Sequence, residues 1–174
     1  MESRKEATSS QVDAKTFWRT LSERVTGVTI VTARDESGPA GLLALSAAHV
    51  TADPPTVLVS VDKKTSALAT ILSSRHFAVN YLPAGTEAVA DAFSGKGGLS
   101  GSDRFVEGQW DTLTTGAPVF KEALGAFDCV IDDVIQRGDI SIVLGIAVAT
   151  RIDSSRPPLA FFRGKMRSDF EVCG

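Results

Sequence analysis

Cysteine and histidine are scarce in this chain of 174 residues, which has two of each: Cys129, Cys173, His49 and His76. The cysteines do not lie at the spacing of a zinc site or a redox pair, nor the histidines at that of a metal-binding helix face. No metal site or disulfide framework is expected, and reduced, incidental thiols fit a cytoplasmic protein. An excess of charge is lacking too. Lys+Arg number 18 and Asp+Glu 21, with no basic cluster interleaved with aromatics, so a nucleic-acid partner has no electrostatic footprint. The longest apolar run, Ile142 to Ala149, is too short to span a bilayer, and Met1 to Ser10 has no apolar signal segment. No membrane association is expected. Residues 1–12 read as a disordered leader and 13–174 as a single domain.

Nucleophiles with partners are also missing. No Ser-His-Asp or Cys-His set stands at motif spacing, and no carboxylate pair has the glycosidase pattern. An enzyme so short of acids and bases leaves the hard chemistry to a bound cofactor.

What is present is a series of short β-branched runs. Asp13 to Val25 comes first as a helix, with Phe17, Trp18, Leu21 and Val25 on one face, ended by Thr26-Gly27. Val28 to Ala33 reads as a strand, followed by strand pieces over Leu42 to Leu45 and Ala48 to Thr51 on either side of Ser46-Ala47. Pro54-Pro55 predicts a corner, and Thr56 to Val61 a strand buried on both faces. A helix from Thr65 to about Ser74, a strand over Phe77 to Leu82 and a helix over Glu87 to Phe93 follow. Ser94 to Ser102, with four glycines and three serines, reads as a mobile loop. Ala126 to Ile135 alternates and slips phase at Asp133, which predicts a bulge or bend. The Gly138-Asp139 turn leads into Ile142, Leu144, Ile146 and Val148 at a period of two, and Leu159 to Arg163 is a last strand. Seven or eight strands without regular strand–helix alternation predict a mainly β, antiparallel barrel with peripheral helices.

The most informative stretch is Gly41 to Ala67. Thr65 and Ser66 are N-cap types ahead of Ala67, Leu68, Ile71 and Leu72 at helical spacing. Lys63 and Lys64 stand just outside that helix N-terminus, whose free N–H groups suit a phosphate. The same residues equally describe a capped surface helix with solvated lysines. His49 is a candidate donor to a ligand oxygen or an ordinary surface residue. Asp62 either accepts a proton or pairs with Lys63 or Lys64, and pairing is the simpler reading.

These residues carry a resemblance. TGVTIVT (26–32), the turn around Ser46, ADPPTVLVSVDKKTSAL (52–68), FAVNYL (77–82), DRF (103–105), GAP (116–118), Gly138-Asp139 and PLAFFRGK (158–165) occur in the order found in the flavin reductase family. That family includes the reductase components of two-component flavin monooxygenases, such as the 4-hydroxyphenylacetate 3-monooxygenase reductase. The resemblance implies an FMN-binding split β-barrel of Greek-key kind, a homodimer, bound FMN (or FAD), and hydride transfer from NADH or NADPH. Leu43, Ala44, Leu45, Ser46 and Ala47, with His49 and Val50, would line the flavin ring and ribityl chain. Ser60, Asp62, Lys64, Thr65 and Ser66 would hold the remainder and its phosphate, and Phe162, Arg163, Gly164 and Lys165 would approach the nicotinamide. The implied acceptor is free flavin, which carries electrons to an oxygenase component. A corrinoid acceptor, as in the cob(II)yrinic acid a,c-diamide reductase branch, and a non-catalytic flavin- or haem-binding module are the alternatives. Four positions depart from the family pattern. Leu43 and Leu45 replace small polar residues, Ile140 replaces a nicotinamide-contacting histidine, and His49 stands where a small residue is usual.

Overall fold

The computed structural model describes residues 11–170. Residues 1–10 of the expected leader, and Cys173, lie outside the described residues.

Helix α1 (Ala14–Ser22) is capped by Asp13, whose carboxylate accepts the Thr16 N–H at 3.0 Å. Then come β1 (Thr26–Gly27), β2 (Thr29–Asp35), β3 (Gly38–Ala44), β4 (Ala48–Ala52) and β5 (Pro55–Asp62). Helix α2 (Ala67–Ser74), β6 (His76–Tyr81) and α3 (Glu87–Phe93) follow, then a 3-10 turn (Gly101–Arg104), β7 (Trp110–Thr112) and β8 (Pro118–Phe120). The long pair β9 (Gly125–Arg137) and β10 (Ile140–Ile152) precedes β11 (Ala160–Phe162) and β12 (Lys165–Arg167).

Seven strands form one antiparallel sheet in the order β3-β2-β6-β9-β10-β5-β4. Strands from both sides of it share a core: Val31 of β2, Ala44 of β3, Val59 and Val61 of β5, Phe77 of β6, Cys129 of β9 and Val143 of β10. Such convergence requires the sheet to curl into a barrel. The β3 edge shares no ladder with the end of β5 that β4 leaves uncovered, Val59 to Asp62. Ser46 spans them instead, its Oγ donating to the Ser60 carbonyl at 3.0 Å and accepting the Ser60 N–H at 3.2 Å. The barrel is split there, and Leu68 and Ile71 of α2 complete its core. This is the expected fold class.

A second core covers the outside of β2 and β6. Ile30, Ala78 and Leu82 meet Ala90 and Phe93 of α3 and Val119 and Phe120 of β8. Two buried polar side chains fasten this layer. Asn80 accepts the Phe120 N–H at 2.8 Å, and Asp128 accepts the N–H groups of Thr114 and Thr115, each at 2.7 Å.

Several expectations need correcting. Thr26-Gly27 is a short strand paired with β11 rather than a helix end. Pro54-Pro55 makes no corner, because Ala52 pairs with Pro55 across a two-residue hairpin loop, and a first strand position tolerates proline. The β7–β8 pair and β12, each strand three residues long, have no sequence period to mark them. The bulge in β9 is present, with Asp132 unpaired between Ile131 and Asp133. The alternation expected in β10 is present. Ser141 and Val143 are buried, whereas Ile142, Leu144 and Ile146 are only partly so and face outward.

Candidate functional site

A cleft of about 460 Å³ opens where β3, the start of α2 and the end of α3 meet. Leu42 and Leu43 supply one wall, Lys64, Thr65 and Ser66 another, and Phe93, Ser94 and Gly95 a third, with Arg104 reaching in from the 3-10 turn. The turn before α2 is tight. Asp62 accepts the Lys64 N–H on its carboxylate at 2.9 Å and the Thr65 N–H on its carbonyl at 2.9 Å. Asp62 therefore shapes the loop backbone, and neither lysine pairs with it. Lys63 turns away to pair with Asp139, whereas Lys64 has no carboxylate partner among the described residues.

Helix α2 starts two residues later than expected, at Ala67. Ser66 occupies its N-cap with helical φ −58° and makes no side-chain cap bond, and the first turn holds no acidic residue. Its terminal N–H groups and dipole are left for a ligand. Arg104 donates only to carbonyls, Leu99 at 3.0 Å and Gly41 at 3.3 Å. Two cations and a helix N-terminus without a countercharge make this cleft a seat for an anion. Arg104 was missed by the sequence reading except as part of the DRF run, since nothing in the residue order brings it beside Lys64.

Phe93 forms the apolar floor, held edge-on by Phe105 at 5.0 Å and tilted against Trp110 at 5.4 Å. Gly41 gives it room. A Cβ there would stand 2.7 Å from the Phe93 ring.

The expected flavin wall divides. Leu43 faces the cleft and Leu45 a neighbouring slot, both packing on the second core, while Ala44 and Ala47 turn into the barrel core. Ser46 and Ser60 are bonded to each other as described. His49 and Val50 lie on β4, all of whose residues are exposed, and His49 borders a separate apolar hollow with Phe127 and Ala147. The described chain does not bring either of them to the cleft. Ile140 begins β10 opposite Asp62.

The expected nicotinamide segment is the β11–β12 hairpin, with Arg163 (φ +47°) and Gly164 (φ +78°) forming its two-residue turn. Arg163 is engaged within the chain. It donates to Glu23 Oε2 from Nε at 3.0 Å and Nη2 at 2.6 Å, and its guanidinium lies 4.9 Å from the Phe162 ring centre. Its N–H also bonds the Ser22 carbonyl at 3.2 Å, so the turn is clamped to the end of α1. Between them lies a slot of about 210 Å³, bordered by Trp18, Leu21, Leu45, Phe161 and Gly164. Lys165 is exposed beyond it.

A family model described as a flavin reductase like domain matches residues 21–168. The FMN reductase (NADH) RutF of Ancylobacter novellus is 36% identical over 135 residues, covering 78% of this chain and 74% of that protein. The NADH:FAD oxidoreductase SgcE6 of Streptomyces globisporus C-1027, solved with NAD and FAD fragments, superposes with a TM-score of 0.80 at 29% identity over 91% of this chain and 96% of that one. BorF, the flavin reductase component of a bacterial two-component tryptophan halogenase, superposes with a TM-score of 0.82 at 29% identity, covering 89% of this chain and 97% of that one.

Proposed function

The chain belongs to the flavin reductase family, and on that premise we propose that it moves a hydride from NADH to FMN and delivers the electrons to free flavin, which carries them to a separate oxygenase. The observation that carries this reading is the uncompensated anion seat of Lys64, Arg104 and the α2 N-terminus beside the apolar wall of Leu42 and Leu43. A phosphorylated, planar ligand is complementary to that pairing. Bound there, the flavin supplies hydride acceptance and release, chemistry that none of the side chains at the site offers.

The residues of the chain bind and orient. Lys64 and Arg104 take the phosphate, and the free N–H groups at Ser66 and Ala67 complete its shell. Leu43 and Leu45 keep water off one side of the ring, where the small polar residues usual in the family would admit it. The Ser46–Ser60 pair holds the backbone of the wall rigid, which matters because transfer rates fall steeply with misplacement. A homodimer is part of the reading, supported by the outward apolar face of β9 and β10.

Purified protein mixed with FMN should be yellow and should bleach when NADH is added without oxygen. A colourless protein that takes up no flavin at micromolar concentration, or colour that persists with NADH, removes the proposal. Lys64→Ala and Arg104→Ala should each weaken FMN by roughly tenfold or more while leaving riboflavin, which has no phosphate, unaffected. Supplying free FMN or a cobalt(II) corrinoid, each with NADH, identifies the acceptor.

A further inference from the structure

The segment 94–103, expected as a mobile loop, is held by little more than one side chain. It leaves α3 at Ser94 and lies back on that helix at Gly97, where a Cβ would stand 3.2 Å from Ala92 Cα. Among the described residues, two hydrogen bonds link Gly95–Leu99 to the chain on either side. The Lys96 N–H donates to Ser94 Oγ at 3.3 Å, and the Leu99 carbonyl accepts from Arg104 Nε at 3.0 Å. The first is local, so Arg104 is the tether. Every residue from Gly95 to Asp103 is exposed. A stretch so open and so thinly bonded comes away at small cost unless something fixes its tether.

We propose that this segment is a strap: it sets Arg104 for the flavin phosphate, and the bound phosphate in turn fixes the strap. The inference rests on the flavin reading of the cleft. Arg104 is the shared part. It borders the anion seat with Lys64 while bonding the strap at Leu99 and β3 at Gly41, the latter from Nη1 at 3.3 Å. A guanidinium holds its N–H donors in one rigid plane, and Nη2, which bonds neither carbonyl, remains for a phosphate oxygen. Strap and phosphate therefore do not compete for Arg104. Each orients the plane for the other, and the charge-assisted bond to phosphate is the stronger kind. Such coupling is reciprocal. Whatever factor strap closure adds to phosphate affinity, the phosphate adds to strap closure. A flavin without a phosphate gains nothing from it.

The backbone of the strap decides where the Leu99 carbonyl stands. Gly98, at φ +70°, makes the bend just before it, and no atom lies within 4 Å of where a Cβ would be. A larger residue there meets no clash and strains only the backbone. Gly98 does not line the cleft, so such a change disturbs the strap without touching the ligand. For electron delivery by diffusing flavin, the consequence is selective retention. The phosphorylated flavin is held behind a closed strap, and its release waits on strap opening.

The test reads the strap with trypsin, which cuts after the exposed Lys96, in full-length protein saturated with FMN or with riboflavin as judged by flavin fluorescence. FMN should slow cleavage between Lys96 and Gly97 by roughly fivefold or more, and riboflavin should leave it at the flavin-free rate. Gly98→Val should weaken FMN by roughly three- to tenfold, keep riboflavin affinity within about twofold, and lose most of the protection. Arg104→Lys keeps the charge but not the planar fork, so saturating FMN should no longer slow the cut. FMN that binds the wild type without slowing cleavage overturns the strap and leaves the flavin reading standing. A Gly98→Val protein with wild-type FMN affinity does the same. Riboflavin that protects as well as FMN would mean that the ring, not the phosphate, closes the strap, and the proposal fails. A wild-type protein that binds no FMN sinks the underlying reading instead.

Discussion

At the scale of single residues, neighbours of one type meet different fates. Lys63 and Lys64 are adjacent, yet one pairs with Asp139 on the surface, where such a bond contributes little, and the other stands free at the cleft. Cys129 and His76 are each shifted by burial. The thiol is pushed up to about 12 by desolvation, with the nearby Asp128 adding to it, and stays protonated and inert. His76 Nδ1 is buried with no partner among the described residues, and desolvation lowers its pKa from 6.5 against a smaller opposing pull from Asp128. The unfolded chain takes up this proton near pH 6.5 and the folded one only at lower pH. Protons therefore favour unfolding between those values, and stability rises with pH across that window. The expected result is a melting temperature that falls as pH drops from 7 to 5, with a shallower fall in His76→Gln. Parallel melting curves for the two proteins would assign the acid sensitivity elsewhere.

Elements differ in how far they were legible, and the reason is locality. Helix α3 lies where its sequence places it, and the slip at Asp133 announces the β9 bulge, because period and phase are properties of adjacent residues. Strand β10 shows its period in the sequence but not which face is inner. Its large side chains stand on the outward face, since the barrel interior needs a small residue beside Phe77, where a Cβ on Gly145 would come within 2.5 Å of the ring. The phosphate cleft was half visible. Lys64, Thr65 and Ser66 are consecutive, but Arg104 reaches them only through tertiary structure. The same holds for Gly41, whose purpose appears once Phe93 is seen against it. Gly41→Ala must displace that ring toward the cleft or strain β3, at a cost of about 1–3 kcal/mol. The expected outcome is a melting temperature lower by several degrees together with weaker FMN binding. A variant with wild-type affinity and stability would mean that Phe93 can move aside freely and does not form the floor.

For the whole molecule, the seven-stranded sheet poses a problem that one chain does not solve. Its inner face closes the barrel core, and its β2–β6 side is covered by α3 and β8, but among the described residues no element covers the outer faces of β9 and β10. Val130, Ile135 and Val148 there are 44%, 48% and 45% exposed, beside the half-buried Leu144 and Ile146 and next to β4, none of whose residues is buried. A contiguous apolar surface on a sheet is a docking face, and the symmetric solution is a second copy of the same surface. Val130 discriminates between fold and interface. It is already open to solvent in one chain, so Val130→Asp should barely disturb the barrel, yet it would place two carboxylates in a desolvated contact. The wild type should sediment as a dimer at micromolar concentration and Val130→Asp as a monomer, with circular dichroism unchanged. FMN binding should survive, because every residue assigned to the phosphate cleft comes from one chain. A wild-type protein that sediments as a monomer at every concentration tested would leave this face unexplained and remove the dimer from the functional reading.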